Sequence, residues 1–197
     1  MIKNMFKHFI TITKHKWVVF KLCVKIGIPW RGFVHDLSKY SKTEFLESAK
    51  YYKGTYSPIQ ACKQENGYSQ AWLHHKGKNK HHLEYWYDYK APVSMPMLPY
   101  TYTLEMICDT LAAGIIYNGK NWNNSTQLEY WKRELQRDEK EPKINVHMKN
   151  LLTEVYEQVS KEGINNTLKR NNLKKIYEKH NMQFKNPQPP SGVSSLK

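Results

Sequence analysis

Acidic residues are missing from the first 35 positions of this 197-residue chain, a stretch that holds six lysines and Arg31. The first carboxylate, Asp36, arrives as the immediate neighbour of a histidine, His35. Arginine is scarce throughout. It stands only at positions 31, 133, 137 and 170, although Lys+Arg total 31 against 17 Asp+Glu, for a net charge of +14. An anionic partner fits that charge, as does passive codon bias toward Lys, Asn, Ile and Tyr. Lysine supplies a field and point contacts, whereas arginine reads phosphate and guanine with two donors at once. The balance favours a phosphate-bearing ligand or a loose polyanion over sequence-specific DNA recognition.

Cysteine is nearly absent too. Cys23, Cys62 and Cys108 are odd in number and widely spaced, which excludes a disulfide framework or a zinc finger and predicts reduced core thiols of a cytoplasmic protein. No run of about 18 apolar residues occurs, so no transmembrane helix is expected. Lysines interrupt every apolar run of the N-terminus, and no small-residue cleavage site follows them, unlike a signal peptide. Repeats and convincing strands are lacking. What is present is helical periodicity, and the expected fold is an all-α bundle of about seven to nine helices in one domain over 1–183. Its metal-site core spans about 10–120 and its C-terminal helices about 126–183, with a flexible tail over 184–197.

Residues 3–27 read as an amphipathic helix whose face carries Ile12, His15, Val19, Leu22 and Ile26. That apolar face includes His15, which argues against a peripheral membrane role for this helix. Gly27 and Pro29 stop it, and a short helix around 30–40 carries His35-Asp36. Ser41 to Glu44 forms a capping box opening a helix to about Tyr52. One further helix is expected through Gln70, Trp72 and His75, broken by Gly77, Lys78 and Asn79. Residues 88–99 hold three prolines and read as irregular. A helix over 101–117 carries Glu105 and Asp109, with Ala112 and Ala113 allowing close helix approach. Thr126 to Glu129 is a second capping box, for a polar helix to about Lys140. Pro142 suits the first turn of the next helix, which Gly163 ends, and a basic helix follows over about 166–181.

Three groups of residues carry chemistry. His35 and Asp36, adjacent on a helix, project about 100° apart and share one ion only at the helix edge. Lys39 follows within one turn, where it can pair with Asp36 or a bound phosphate. The segment 74–82 packs His74, His75, His81 and His82 around Lys76, Lys78 and Lys80, a setting for metal or phosphate. Of these histidines, His75 and His82 are preferred as the inward pair. Glu105 and Asp109 sit one helical turn apart, where two like charges call for a cation. The bland alternatives are an exposed pair near a helix end, a solvated basic loop and an ordinary surface acid.

The order His15, His35-Asp36, a central histidine cluster and Asp109 resembles the HD-domain superfamily of metal-dependent phosphohydrolases. The string from Ala71 to Trp86 also resembles a small bacterial and phage family placed near it. The resemblance covers about residues 10–120. It implies His15, His35, Asp36 and Asp109 as ligands of one divalent ion (Mn, Co, Ni, Fe, Zn or Mg). His75 and His82 would correspond to the extra histidines of binuclear members, although those members space them further apart. The implied activity is hydrolysis of a nucleotide or other small phosphate compound by metal-activated water. Asp36, Lys39 and Glu105 are the catalytic candidates, Glu105 orienting or deprotonating the water. Lys39, His74, His75, Lys76, Lys78, His81 and His82 are the substrate-binding candidates. Trp72, Tyr85 and Trp86 are candidates for stacking a base, or core residues.

Two rivals remain at this level. Some HD-type proteins hold two irons and activate oxygen. Alternatively, the chain is a non-catalytic basic module for nucleic acid or an acidic protein, its last helix bearing Lys169, Arg170, Lys174, Lys175 and Lys179. No membrane partner is expected, and the sequence gives no oligomeric state.

Overall fold

A computed structural model describes residues 2–140 and 143–185. Among the described residues the protein is all-α, with ten helices, three 3-10 turns and no strand. The helices are α1 (Ile2–Lys25), α2 (Pro29–Val34), α3 (Lys42–Lys50), α4 (Pro58–Asn66) and α5 (Gln70–Lys78). They continue as α6 (Tyr100–Asn118), α7 (Thr126–Lys140), α8 (Val146–Glu162), α9 (Ile164–Thr167) and α10 (Arg170–Lys185). No described helix is long and apolar enough to cross a membrane.

Helix count exceeds the expected seven to nine because two expected helices split, while a third ends early in a bend. His35 and Asp36 are not helical: His35 is extended, and Asp36 adopts the left-handed conformation (φ 51°, ψ 28°) before a 3-10 turn, Leu37–Tyr40. Asp36 is the one described non-glycine residue with positive φ. Asp and Asn tolerate this region better than other residues, and such strain concentrates at functional sites. The expected single helix before His75 is two, because Gly67 closes α4 in the left-handed conformation and Ser69 caps α5. The last basic helix starts later than expected, at Arg170, after the separate turn of α9.

Caps differ as well. Ser41 Oγ accepts from the Glu44 backbone N–H at 3.4 Å, but the Glu44 carboxylate points elsewhere. Thr126 Oγ1 accepts from the Asn123 backbone N–H instead of capping α7. Helix α8 starts at Val146, with Asn145 Oδ1 accepting from His147 N at 2.8 Å. Pro142 and the tail over 186–197 lie outside the described residues, while Phe184 and Lys185 still belong to α10.

The core joins α1, α6, α8 and α10. Val19, Cys23 and Ile26 meet Leu104, Ile107, Cys108 and Leu111, with Leu151, Val155 and Leu173 beyond. Each such aliphatic side chain stabilises by about 1.5–3 kcal/mol on burial. All three cysteines are free and buried. Where α2 meets α1 the backbones come close: a Cβ on Gly32 would lie 2.7 Å from Cys23 Cβ. Helix α3 holds α5 in place through Glu47, which accepts from Ser69 Oγ at 2.6 Å and from Ala71 N at 3.0 Å. These contacts set the start of the histidine-bearing helix against α3, and beyond its end Asn79 Nδ2 donates to Ser38 Oγ at 2.8 Å, in the turn that follows Asp36.

Candidate metal centre

Four segments converge where α1, the bend after α2, the α5 end and α6 meet. Helix α1 contributes His15, whose Nε2 lies 2.9 Å from Asp109 Oδ1 on α6. The bend turns both His35 and Asp36 to the same side, which a continuous helix would not allow. His35 Nε2 is 3.2 Å from Asp36 Oδ2 and 3.3 Å from Asp109 Oδ1. Asp36 Oδ1 lies 3.4 Å from both His75 Nε2 and His81 Nε2. His82 closes the group, with its Nε2 at 2.8 Å from His75 Nε2.

Two ligand sets result, one of His15, His35, Asp36 and Asp109 and one of Asp36, His75, His81 and His82. Within each set one donor atom per residue lies within 4.8 Å of the others, and each set could hold a metal ion. Asp36 belongs to both. In a third set, His35, His81 and Glu105, the donor atoms also lie within 4.8 Å of one another. It gathers the opposite nitrogens of the same rings, so it forms an outer layer.

That outer layer fixes the rings. Glu105 is fully buried, and its Oε1 lies 3.0 Å from His35 Nδ1 and 3.3 Å from His81 Nδ1. Arg31 Nε donates to its other oxygen at 2.7 Å. Glu44 does the same on the far side, 2.7 Å from His75 Nδ1 through Oε2 and 2.7 Å from His74 Nδ1 through Oε1. An ionised carboxylate only accepts, so the nitrogen facing it carries the proton. A ring held this way, once its Nε2 proton is gone, turns a lone pair toward the ligand sets, the carboxylate–histidine arrangement common around metals.

Charge and burial act differently on the separate donors. Burial disfavours ionised Asp36 and Asp109, but the charges of His35, Lys39 and His75 at Asp36, and hydrogen bonds from His15 and His35 at Asp109, outweigh it and hold both well below the usual carboxylate range. Burial likewise opposes Glu105, yet hydrogen bonds from His35 and His81 push it down to about 2. His82 is driven well below the usual histidine value by burial and by His81 and His75, and burial lowers His15 too. Burial opposes a charge on His35, but Asp36, Asp109 and Glu105 outweigh it and raise His35 well above the usual histidine value, so a metal would displace a proton from this ring. Ionised carboxylates and deprotonated imidazoles are the donor states a metal requires. Several donors also lack hydrogen bonds although buried: His15 Nε2, His35 Nε2, His81 Nε2 and Asp36 Oδ1. An unsatisfied buried polar atom costs about 1–3 kcal/mol, so four at one point favour a ligand that accepts lone pairs.

The candidate residues of the sequence fall into three groups here. His15, His35, Asp36, Asp109, His75 and His82 come together, and so does His81, which sequence reasoning ranked behind His82. His74 joins neither set but pairs with Glu44. Lys39 Nζ lies 2.6 Å from Asp36 Oδ2 and is one-quarter exposed. Lys76 and Lys78 form no ion pair with the cluster among the described residues; Lys78 is exposed. Glu105 is engaged by two histidines and Arg31, a holding position and not the water-facing one expected of it. Trp72 flanks the second set, 5.9 Å from the His75 ring and 5.1 Å from that of His82. Trp86 donates to Lys80 O at 2.8 Å and packs on the core.

Sequence reasoning missed Glu44, Arg31 and Lys16, which donates to the His35 carbonyl at 2.9 Å and steadies the bend. Glu44 was absorbed by its capping motif. Arg31 had one signal, as the lone arginine among the first 132 residues.

Neither a curated protein nor a solved structure matches the chain. A family model does match, over residues 4–158, a span that contains every residue of both ligand sets. The chain belongs to the family of unknown function DUF5662.

Proposed function

We propose that this protein is a divalent-metal-dependent phosphohydrolase acting on a nucleotide or another small phosphate compound. The observation that carries the reading is the pair of buried ligand sets sharing Asp36. Their order along the chain, together with the all-α fold, supports the HD-domain resemblance. A bound divalent ion supplies Lewis acidity toward a phosphoryl oxygen and lowers the pKa of water.

The chain's own residues prepare that chemistry. Glu105 and Glu44 hold the imidazoles from behind, so they are positioning residues. Asp36 links the two sets and stays ionised because His35, Lys39 and His75 surround it. Lys39 places a cation beside Asp36 at the partly open side, where it can meet a phosphate oxygen. Packing on α6 and the aromatic wall at Trp72 limit water and strengthen these charge interactions.

Metal analysis of tag-free protein beside its His35→Ala and Asp109→Ala variants tests the site. The parent should retain a first-row or alkaline-earth divalent ion that both variants lose. Normal metal content in both variants would end the assignment. Phosphate release from a nucleotide panel under Mn, Co, Ni or Mg then tests the reaction. Iron-dependent oxygen consumption in place of phosphate release would move the same ligands to oxygen chemistry.

A further inference from the structure

Helix α1 has two apolar faces, and the fold covers the second only in part, where Phe20 meets α2 at Gly32 and Phe9 packs edge-on against Tyr40. The inner face carries His8, Ile12, His15, Val19 and Cys23, all buried. Rotated by roughly 120° runs a second stripe at three- and four-residue steps: Ile2, Phe6, Phe9, Trp17, Phe20 and Val24, with Thr13 between. Phe6 is 67% exposed, Trp17 56% and Val24 48%. Helix α2 extends the patch with Trp30, 68% exposed, and Phe33, 58% exposed. Phe33 lies next to α1, with Lys16 Nζ 5.9 Å from its ring centre. Contiguous exposed apolar surface of this extent marks an interaction site.

Charge identifies the partner. Lys3, Lys7, Lys14, Lys21 and Lys25 form a row along the flank of α1 beyond the apolar stripe. No acidic residue interrupts either row, because none precedes Asp36, which is buried and paired with Lys39. We propose that this outer face of α1, with Trp30 and Phe33, docks the protein on an anionic lipid surface. The helix would lie in the plane of the surface, its aromatic and aliphatic side chains entering the headgroup boundary while the lysines meet the anionic headgroups. Having His15 on an apolar face does not oppose this, since His15 belongs to the inner face.

Other partners fit less well. A second copy docked on this face would oppose two lysine rows. Single-stranded nucleic acid stacks on free aromatic rings, but here Trp17 stacks on Phe20 (5.5 Å, 22°) and Trp30 on Phe33 (5.6 Å, 28°). Aliphatic residues also occupy both ends of the stripe, and Arg31 is committed to Glu105.

Sedimentation of the full chain with phosphatidylcholine vesicles, with and without phosphatidylserine, tests the proposal. Binding should require the anionic lipid and weaken with salt. Each lysine near such a surface contributes roughly a five-fold gain, so Lys7→Gln, Lys14→Gln and Lys21→Gln together should weaken binding about 100-fold. Phe6→Glu with Trp17→Glu should weaken it at least about ten-fold. Both variants change exposed positions, and unaltered thermal melting checks that each is folded. Failure to bind anionic vesicles at low salt, or folded variants that bind as the parent does, overturns the proposal. So does binding to single-stranded RNA, without vesicle binding, that the Phe6→Glu, Trp17→Glu variant loses.

Discussion

Replacing Glu44 with glutamine should separate the two ligand sets. Glu44 places one carboxylate oxygen 2.7 Å from His75 Nδ1 and the other 2.7 Å from His74 Nδ1. Both contacts need an acceptor. Glutamine offers one acceptor oxygen and one NH2 group, so only one of the two rings keeps its Nδ1 proton facing an acceptor. If His75 is the ring that loses it, the proton moves to Nε2 and faces Asp36 and His82, where a lone pair is needed. Loss of such a supporting carboxylate lowers metal affinity by about 10–100-fold, or about 1.4–2.7 kcal/mol. The cap is untouched, because Ser41 accepts from the backbone N–H of residue 44.

The effect should fall on one set only. Glu44 supports His75, which belongs with Asp36, His81 and His82, while His15, His35 and Asp109 have no contact with it. Calorimetric titration with Mn or Zn should therefore show one class of site weakened and one unchanged. Glu105→Gln is the contrast, since Glu105 backs His35 in one set and His81 in the other, and both classes should weaken. Equal weakening of both classes by Glu44→Gln, or no change in either, would refute the reasoning.

Asp36→Asn should keep the fold, because Asn also tolerates the left-handed conformation, yet empty both sets of metal, as elemental analysis beside circular dichroism would show. Gly32→Ala should lower stability by about 1–3 kcal/mol, because its Cβ would meet Phe20 Cα at 2.9 Å as well as Cys23, and backbone cannot yield cheaply. An unchanged melting temperature would show that α2 can slide on α1. His8 is buried between Phe45 and Tyr52, and burial, with Lys39, lowers its pKa to about 4. The unfolded chain takes up that proton near pH 6.5 and the native state does not, so stability is full above 6.5 and falls toward pH 4 by at most about 3 kcal/mol. His8→Leu should flatten this part of the melting-temperature profile between pH 7 and 5; parallel profiles would exclude the mechanism.

Much of the fold was legible because burial writes a period into each helix. The stripe through Ile12, His15 and Val19 is the inner face of α1, and the spacing of Leu104, Cys108 and Leu111 gave α6. What was not legible turns on choices that periodicity does not encode. Nothing in a His-Asp dipeptide announces a left-handed aspartate, and a helical reading of 30–40 left His35 and Asp36 pointing apart. The bend that joins them depends on Lys16 reaching across from α1 to the His35 carbonyl. Glu44 shows a second limit, because its backbone serves a cap while its side chain serves the histidines. His81 shows a third: ranking it against His82 assumed alternate faces, whereas the turn at 80–82 brings both rings inward, 4.3 Å apart. The outer stripe of α1 was visible in the sequence but overshadowed by the inner one, since one helix was granted one apolar face.

Charge balance constrains how the centre is filled. Asp36, Asp109, Glu105 and Glu44 are four buried or half-buried carboxylates, and Lys39 and Arg31 are the basic side chains paired with them. Four negative charges against two positive leave two uncompensated, with the histidines neutral as ligands. One divalent cation cancels that remainder. Two divalent cations overshoot it by two positive charges, which a dianionic phosphate would in turn cancel. Uncompensated charge in a buried site is expensive, so the second ion and an anionic phosphate should favour each other's binding. On the proposed reading, the set around His75, His81 and His82 would not be a spare copy of the first. Its occupancy and the phosphate's would be reciprocally coupled, with Asp36 as the shared ligand and Lys39 beside the entering anion.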